Sequence, residues 1–226
     1  MTATIIPSDV PNLVVRDPAQ RREEYLRATR FYLSLGFPVV LAENSGADLS
    51  EFRRLGSRLE VLQLGSGGEP TLGRGFLETR LVIDAAQCSE EISRAHGHFW
   101  KTTGRYIVHN MAHLVAKAQP GRDLYFNLRR HPELWADMWV YGASVRGMSL
   151  LEPNLGALVE EPAERSMYGM VMSLAEAGAA VSLRLPVEPR LSGTRGWDGR
   201  PYGDARQRAK WIIRSAARVL APHLWL

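Results

Sequence analysis

The stretch LGFPVVLAENSG, residues 35–46, sets the fold class. Gly36 predicts a helix stop, since glycine takes up the left-handed turn that ends helices. The run that follows is apolar on both faces, which suits a strand buried in a parallel sheet, and it empties into the loop ENSG. Upstream, residues from Pro18 to about Leu35 have helical periodicity. Tyr25, Leu26, Thr29, Phe31, Tyr32 and Leu35 share one broad face, with Arg21, Arg22, Glu23 and Glu24 outside it. Asp17 is a good N-cap, with proline at the first helical position. Further upstream, ATII (3–6) is a short β-branched run closed by Pro7, Ser8 and Asp9. Downstream come a short helix (about 49–56), the strand RLEVLQLG, and a Gly-rich loop, GSGGEPTLGRG, that opens a helix over roughly 76–95. Strand, helix, strand, loop, helix is the grammar of a mostly parallel α/β sheet flanked by helices.

The second half is less regular. HNMAHLVAKA (109–118) is predicted helical and RDLYFNL (122–128) a strand. LWADMWVYGASVRGM is aromatic-rich with the single carboxylate Asp137, and residues 160–178 read as a helix ending at Gly178. AVSLRLP is a strand, RLSGTRGWDGRPYG (190–203) a turn-dense loop, and about 203–220 a basic amphipathic helix. With no repeat, low-complexity tract or linker, residues 1–226 form one domain.

Bulk properties narrow the function. A chain of 226 residues buries enough surface to need no staples. The single cysteine, Cys88, excludes an intramolecular disulfide, and its place in a predicted amphipathic helix makes it a buried structural thiol. No apolar run approaches the roughly 20 residues that cross a bilayer. The first residues lack the basic-then-apolar pattern of a signal peptide, so the chain is expected in the cytoplasm. Net charge is +4, from 28 basic and 24 acidic residues, which suits an anionic ligand. The basic residues are dispersed, and nucleic acid is not an expected partner.

HFWKTTGRYIVHN (98–110) is the least generic stretch, because a buried strand does not favour so many cations and hydroxyls. Ligands of open α/β sheets bind beyond the carboxyl ends of strands, where IIPSD, ENSG and TGRY are predicted to lie. The glycine loop before the long helix, with Arg74, adds a helix N-terminus able to hold phosphate. It matches neither GxGxxG nor the P-loop, and an ordinary solvated connection explains it equally well.

Four blocks in this order, PNLVVRDPAQRREEYLRATRFYL, VVLAENSG, GRGFLETRLVIDAA and FWKTTGRYIVHN, resemble bacterial sugar-nucleotide-dependent glycosyltransferases with a GT-A-like fold. These enzymes build lipopolysaccharide, capsule and other surface polysaccharides. The resemblance extends through ADMWVYGAS, the helix after EEPAER and GTRGWDGRPYG, from about residue 3 to 220; the KTTGRY and R-DP-x-x-R-x-x-Y blocks are its most specific parts. It implies transfer of a sugar from a nucleotide-sugar donor to a hydroxyl on a glycan or lipid-linked glycan.

The donor side would comprise Pro7, Arg16, Asn44, Arg74, Lys101, Thr103, Gly104, Arg105 and Tyr106. Arg105 is suited to fork onto two phosphate oxygens, and Lys101 to act as a point charge. Salt bridges to Asp17 or a nearby Glu are the competing reading for Arg16 and Arg105. Asp137 is the expected base, with Glu160 and Glu161 as competitors, while Trp139, Tyr141, Trp197 and Asp198 would meet the acceptor. Strand alternation would place Asp137, Trp139 and Tyr141 on one face.

The Asp-x-Asp pair that holds Mg²⁺ or Mn²⁺ in many relatives of the fold is missing, so the choice between a metal ion and arginine or lysine stays open. Without that pair, an inactive sugar-nucleotide or glycan-binding module is the alternative. A nucleotidyltransferase would need paired carboxylates that the sequence lacks. His109 and His113 have i,i+4 zinc spacing but lack the HExxH glutamate and a third ligand. The last helix alternates cations with Trp211, Ile212, Ile213, Val219 and Leu220, fitting either packing on the sheet or peripheral contact with the inner face of a membrane.

Overall fold

A computed structural model describes the chain apart from residues 9–12, 66, 160–161, 197, 222 and 226. The α/β class expected from the sequence is present. Strands β1 (Thr2–Ala3), β2 (Val39–Glu43) and β3 (Leu59–Gln63) form a parallel sheet, with Thr2 opposite Ala42 and Leu41 opposite Val61. Helix α1 (Pro18–Ser34) crosses from β1 to β2. The Asp17 carboxylate accepts from the Ala19 and Gln20 amides, and Gly36 ends the helix at φ 87°. Its buried face carries Tyr25, Leu26, Ala28, Thr29 and Tyr32, but also Arg21 and Glu24, which helical periodicity placed outside. The short helix α2 (Ser50–Arg53) leads to β3.

The long helix expected over 76–95 is two helices, α3 (Gly73–Cys88) and α4 (Glu90–Arg94). Ser89 divides them by leaving helical geometry and capping α4, its hydroxyl accepting from the Ile92 amide and donating to Glu60. Cys88, expected buried, is exposed because it falls at this break.

A second, mixed sheet contains β4 (His98–Thr102), β6 (Leu124–Tyr125), β9 (Val140–Ser144) and β10 (Val181–Ser182) in the order β10-β6-β9-β4. In it β9 is antiparallel to both neighbours, whereas β10 and β6 are parallel. A parallel bridge between Thr2 and Thr103 joins the two sheets edge to edge. The combined order is therefore β3-β2-β1-β4-β9-β6-β10, with β9 alone reversed.

The junction is tight because residue 104 is glycine. A Cβ there would lie 2.4 Å from the Thr2 carbonyl oxygen and 2.9 Å from the Tyr25 ring. Helices α5 (Met111–Lys117), α6 (Val145–Leu151) and α7 (Ala163–Glu176) complete the cover, with a 3-10 stretch over Glu152–Val159. One core cluster joins α1, α5 and one sheet face; another lies under α3, α6 and α7.

Two small pairings stand beyond the main sheets. β7 (Leu128–Arg129) pairs with β8 (Trp135–Ala136). The segment expected to be a turn-dense loop forms a hairpin, β11 (Leu191–Thr194) with β12 (Pro201–Tyr202), docked on β5 (Ile107–Val108). The partner strand β5 is more than 80 residues away, which is why local turn chemistry alone concealed the hairpin. Helix α8 (Ala205–Leu220) follows, as expected. No helix among the described residues is long and apolar enough to cross a membrane.

Candidate functional site

Strand order reverses between β1 and β4, so the loops leaving β1, β2 and β4 converge at a topological switch point. Internal bonds hold them there. Glu43, the buried last residue of β2, accepts from the amides of Ile5, Ser45 and Gly46 at 3.0–3.1 Å. Thr4 donates through its hydroxyl to Asn44 Oδ1 at 2.7 Å. Arg21 donates to the carbonyls of Thr4 and Val15 and to the Tyr25 hydroxyl. Pro7 is half-buried on the first of these loops. Arg16 is exposed, with Nε on the Leu13 carbonyl at 2.9 Å, and Arg74 is half-buried in the first turn of α3.

The KTTGRY segment underpins these loops. Lys101 Nζ lies 2.6 Å from the Met138 carbonyl, 3.0 Å from Thr103 Oγ1 and 2.8 Å from Glu78 Oε1, with its side chain 2% exposed. The pair is asymmetric. Burial pushes the Lys101 ammonium below its ordinary pKa, by more than Glu78 returns. Glu78 is also penalised by burial, but Lys101 and the Thr2 and Thr103 hydroxyls outweigh this and hold its pKa low. Arg105 is buried against Glu24, NH1 to Oε2 at 2.9 Å, so its ion pair reaches back to α1. Tyr106 is buried edge-on against Tyr202, and burial raises its pKa.

Beside this framework, still beyond the carboxyl ends of the strands, is a cleft of about 790 Å³. Its walls are the β7–β8 hairpin, the 137–139 turn, the β11–β12 hairpin and the first half of α8. Asp137 forms its base. The carboxylate meets Arg129 Nε at 3.2 Å and NH2 at 2.5 Å, and accepts from Asn127 Nδ2 at 2.6 Å. Arg129 also reaches Glu188 Oε1 at 3.0 Å. Burial opposes charge on Arg129, but the two carboxylates overcome it and raise its pKa.

Glu188 in turn holds α8. Arg218 NH2 lies 2.7 Å from Oε2, Arg214 NH1 3.9 Å from Oε1, and Trp211 Nε1 donates to the Glu188 carbonyl at 3.0 Å.

The cleft is electropositive. Arg129, Arg190, Arg195, Arg208, Lys210 and Arg214 face three carboxylates, Glu133, Asp137 and Glu188. No ion pair among the described residues involves Arg190, Arg208 or Lys210. Partial burial, then Arg206, Arg214 and Arg195, push the Lys210 ammonium below its ordinary value, as expected for a cation among cations. Trp135, Trp139 and Trp211 supply flat apolar walls. His109 Nε2 lies 2.8 Å from Ser192 Oγ, and burial followed by Arg190 lowers its pKa.

Asp137 and Trp139 both line this cleft, but Tyr141 does not. Met138 and Trp139 form a turn, so strand alternation starts only at Val140. Tyr141 faces the core instead and stacks on Phe126 with centroids 4.7 Å apart. Asp198 is half-buried in the β11–β12 turn, accepting from the Arg200 amide and pairing with Arg195 at 3.2 Å. Glu160, Glu161 and Trp197 lie outside the described residues.

The sequence reading did not single out Arg129, Glu188, Arg190 or Tyr202. The only local signal was Glu188 itself, a lone acid between Pro186 and Pro189 in an otherwise basic stretch. Among the described residues, no group of three or more His, Cys, Asp or Glu is placed to hold a metal ion. The chain matches none of the protein-family models compared with it, and none of the curated proteins.

Proposed function

We propose that this chain is a glycosyltransferase of surface-glycan assembly, moving a sugar from a nucleotide-sugar donor to a hydroxyl acceptor on a GT-A-like frame. One observation carries the reading: the cleft beyond the strand ends combines excess positive charge, three tryptophans and a buried carboxylate. A nucleoside diphosphate needs cations, sugar faces stack on aromatic rings, and an attacking hydroxyl must lose a proton. The seven-strand order, with its switch point between β1 and β4, supports the frame.

In this reading Arg190, Arg208 and Lys210 receive the diphosphate, and Trp139 and Trp135 flank the sugars. The acceptor oxygen attacks the anomeric carbon while its proton passes to Asp137. The bond to the diphosphate breaks, its electron pair leaves with the phosphate oxygen, and the cations stabilise that charge. Arg129 retains Glu188 as partner when Asp137 takes the proton, so no arginine is left uncompensated. A resident divalent ion does not fit here, because Asp137 and Glu188 are already bound to arginines. Arginine and lysine take that role.

The test is calorimetry with nucleoside diphosphates and nucleotide sugars, with and without Mg²⁺, followed by product analysis of Asp137→Asn. Binding of one nucleotide class is expected. The variant should keep that affinity and lose about 10²–10⁴-fold in transfer. If no nucleotide binds at millimolar concentration, the reading fails. The engagement of both buried carboxylates with arginine favours a second reading, a sugar-nucleotide-binding module without turnover. Tight binding with neither transfer nor hydrolysis would decide for that module.

A further inference from the structure

Helix α8 is amphipathic in the reverse of the usual sense. Gln207, Trp211, Arg214 and Arg218 face the protein, where Arg214 and Arg218 reach Glu188. No residue of the helix is buried. At 100° per residue, Val219, Ile212, Ala216, Ala209, Leu220 and Ile213 fall in one outward arc of about 120°. Within it Ile212 and Ile213 are each 59% exposed, Val219 80% and Leu220 82%. Arg208 borders the arc on one side, Arg206 and Lys210 on the other, and the helix contains no acidic residue.

An apolar stripe between cationic rims matches an anionic bilayer, whose acyl boundary takes the stripe and whose headgroups meet the rims. A second copy of the chain fits poorly, because a symmetric contact on this face would bring the three rim cations, Arg206, Arg208 and Lys210, towards three like charges with no acid on the helix to offset them. We infer that the outer face of α8 docks the protein on an anionic membrane surface, lying in the interface without crossing it.

The docking stands independently of the transferase reading. Its geometric consequence is that the cleft mouth, which Arg208, Lys210 and Ile212 help to line, opens beside the lipid surface.

Flotation of the whole chain with vesicles tests this. The chain should float with phosphatidylcholine vesicles containing about 30% phosphatidylglycerol and stay behind with pure phosphatidylcholine. The double variant Val219→Ser/Leu220→Ser alters two of the most exposed side chains, so its melting temperature should not change, while vesicle affinity should fall at least about tenfold. Arg206→Gln should weaken binding at low salt, and the wild type and this variant should converge near 1 M salt, where the Debye length is about 3 Å. Failure to float with anionic vesicles, or equal flotation with neutral ones, would overturn the inference. So would vesicle-free dimerisation of the wild type that the double variant abolishes. A chain that floats but binds no nucleotide keeps the docking and loses the transferase.

Discussion

Lys101 offers the sharpest test, because its sequence context and its surroundings point to different jobs. In KTTGRY it stands where a donor phosphate would be met; in the fold it is a strut among Glu78, Thr103 and the Met138 carbonyl. Lys101→Met keeps the stem and removes the charge, so it opens little cavity. Losing a charged donor to the buried Met138 carbonyl costs about 1.5–3 kcal/mol. Glu78 loses its counter-ion but is 28% exposed and keeps the Thr2 and Thr103 hydroxyls, so its share is at most about 1 kcal/mol. The expected loss centres near 3 kcal/mol, a fall in Tm of about 6–12 °C for a chain of this size. Calorimetric melting reads it directly. Adding Glu78→Gln should return part of the loss, since the uncompensated carboxylate is then gone. Well below the melting temperature, nucleotide affinity should stay within about threefold of wild type, because no lost contact faces the cleft. A Tm within about 2 °C of wild type together with abolished nucleotide binding would refute the strut and restore Lys101 to the ligand.

Three further outcomes are expected. Gly104→Ala should lower Tm markedly, by overpacking worth about 1–3 kcal/mol, since its Cβ would meet the Thr2 carbonyl at 2.4 Å and the stiff Tyr25 ring; a neutral effect would mean the β1–β4 junction is looser than described. The depressed Glu78 carboxyl adds stability that is complete above its ordinary value of 4.5 and lost as pH falls through its lower folded value. The gap in urea midpoint between wild type and Lys101→Met should therefore narrow by the Glu78 share as pH is lowered from about 5 to 3, leaving the share of the Met138 carbonyl, and a constant gap would remove Glu78 from the account. Arg190→Gln and Lys210→Gln should each weaken nucleotide binding about 10–100-fold with Tm unchanged, as fits exposed cations meeting phosphate; unchanged affinity in both would move the phosphates out of the cleft.

What could be read in advance was what neighbours in sequence decide. Asp17 and Pro18 start α1, Gly36 ends it, and the apolar run to Glu43 is β2, all from contacts within a few residues. Helix α8 was legible for the same reason. The fates of long cations were not. Arg105 is paired with Glu24, 81 residues away, and strand residue Lys101 with Glu78, 23 residues away on α3. Nothing in GRY or FWK announces those partners. Tyr141 left the expected face because a two-residue turn reset the alternation. The cleft itself was only half legible: Asp137 and Trp139 stood out by composition, whereas Arg129 and Glu188 meet across 59 residues and Arg190 arrives beside β11, which pairs with the distant β5.

Glu188 has one more consequence. Trp211, Arg214 and Arg218 all reach it, so one residue gathers three side chains of a 16-residue helix, with Leu185 and Asn127 adding partners for Arg218. It lies between Pro186 and Pro189, whose rings fix φ at their own positions, and Pro189 steers the Glu188 backbone away from helical geometry. Such a segment has few conformations to surrender on folding. The mooring point is stiff in the unfolded chain as well as in the folded one, and the entropy of docking falls on the flexible arginines that come to meet it.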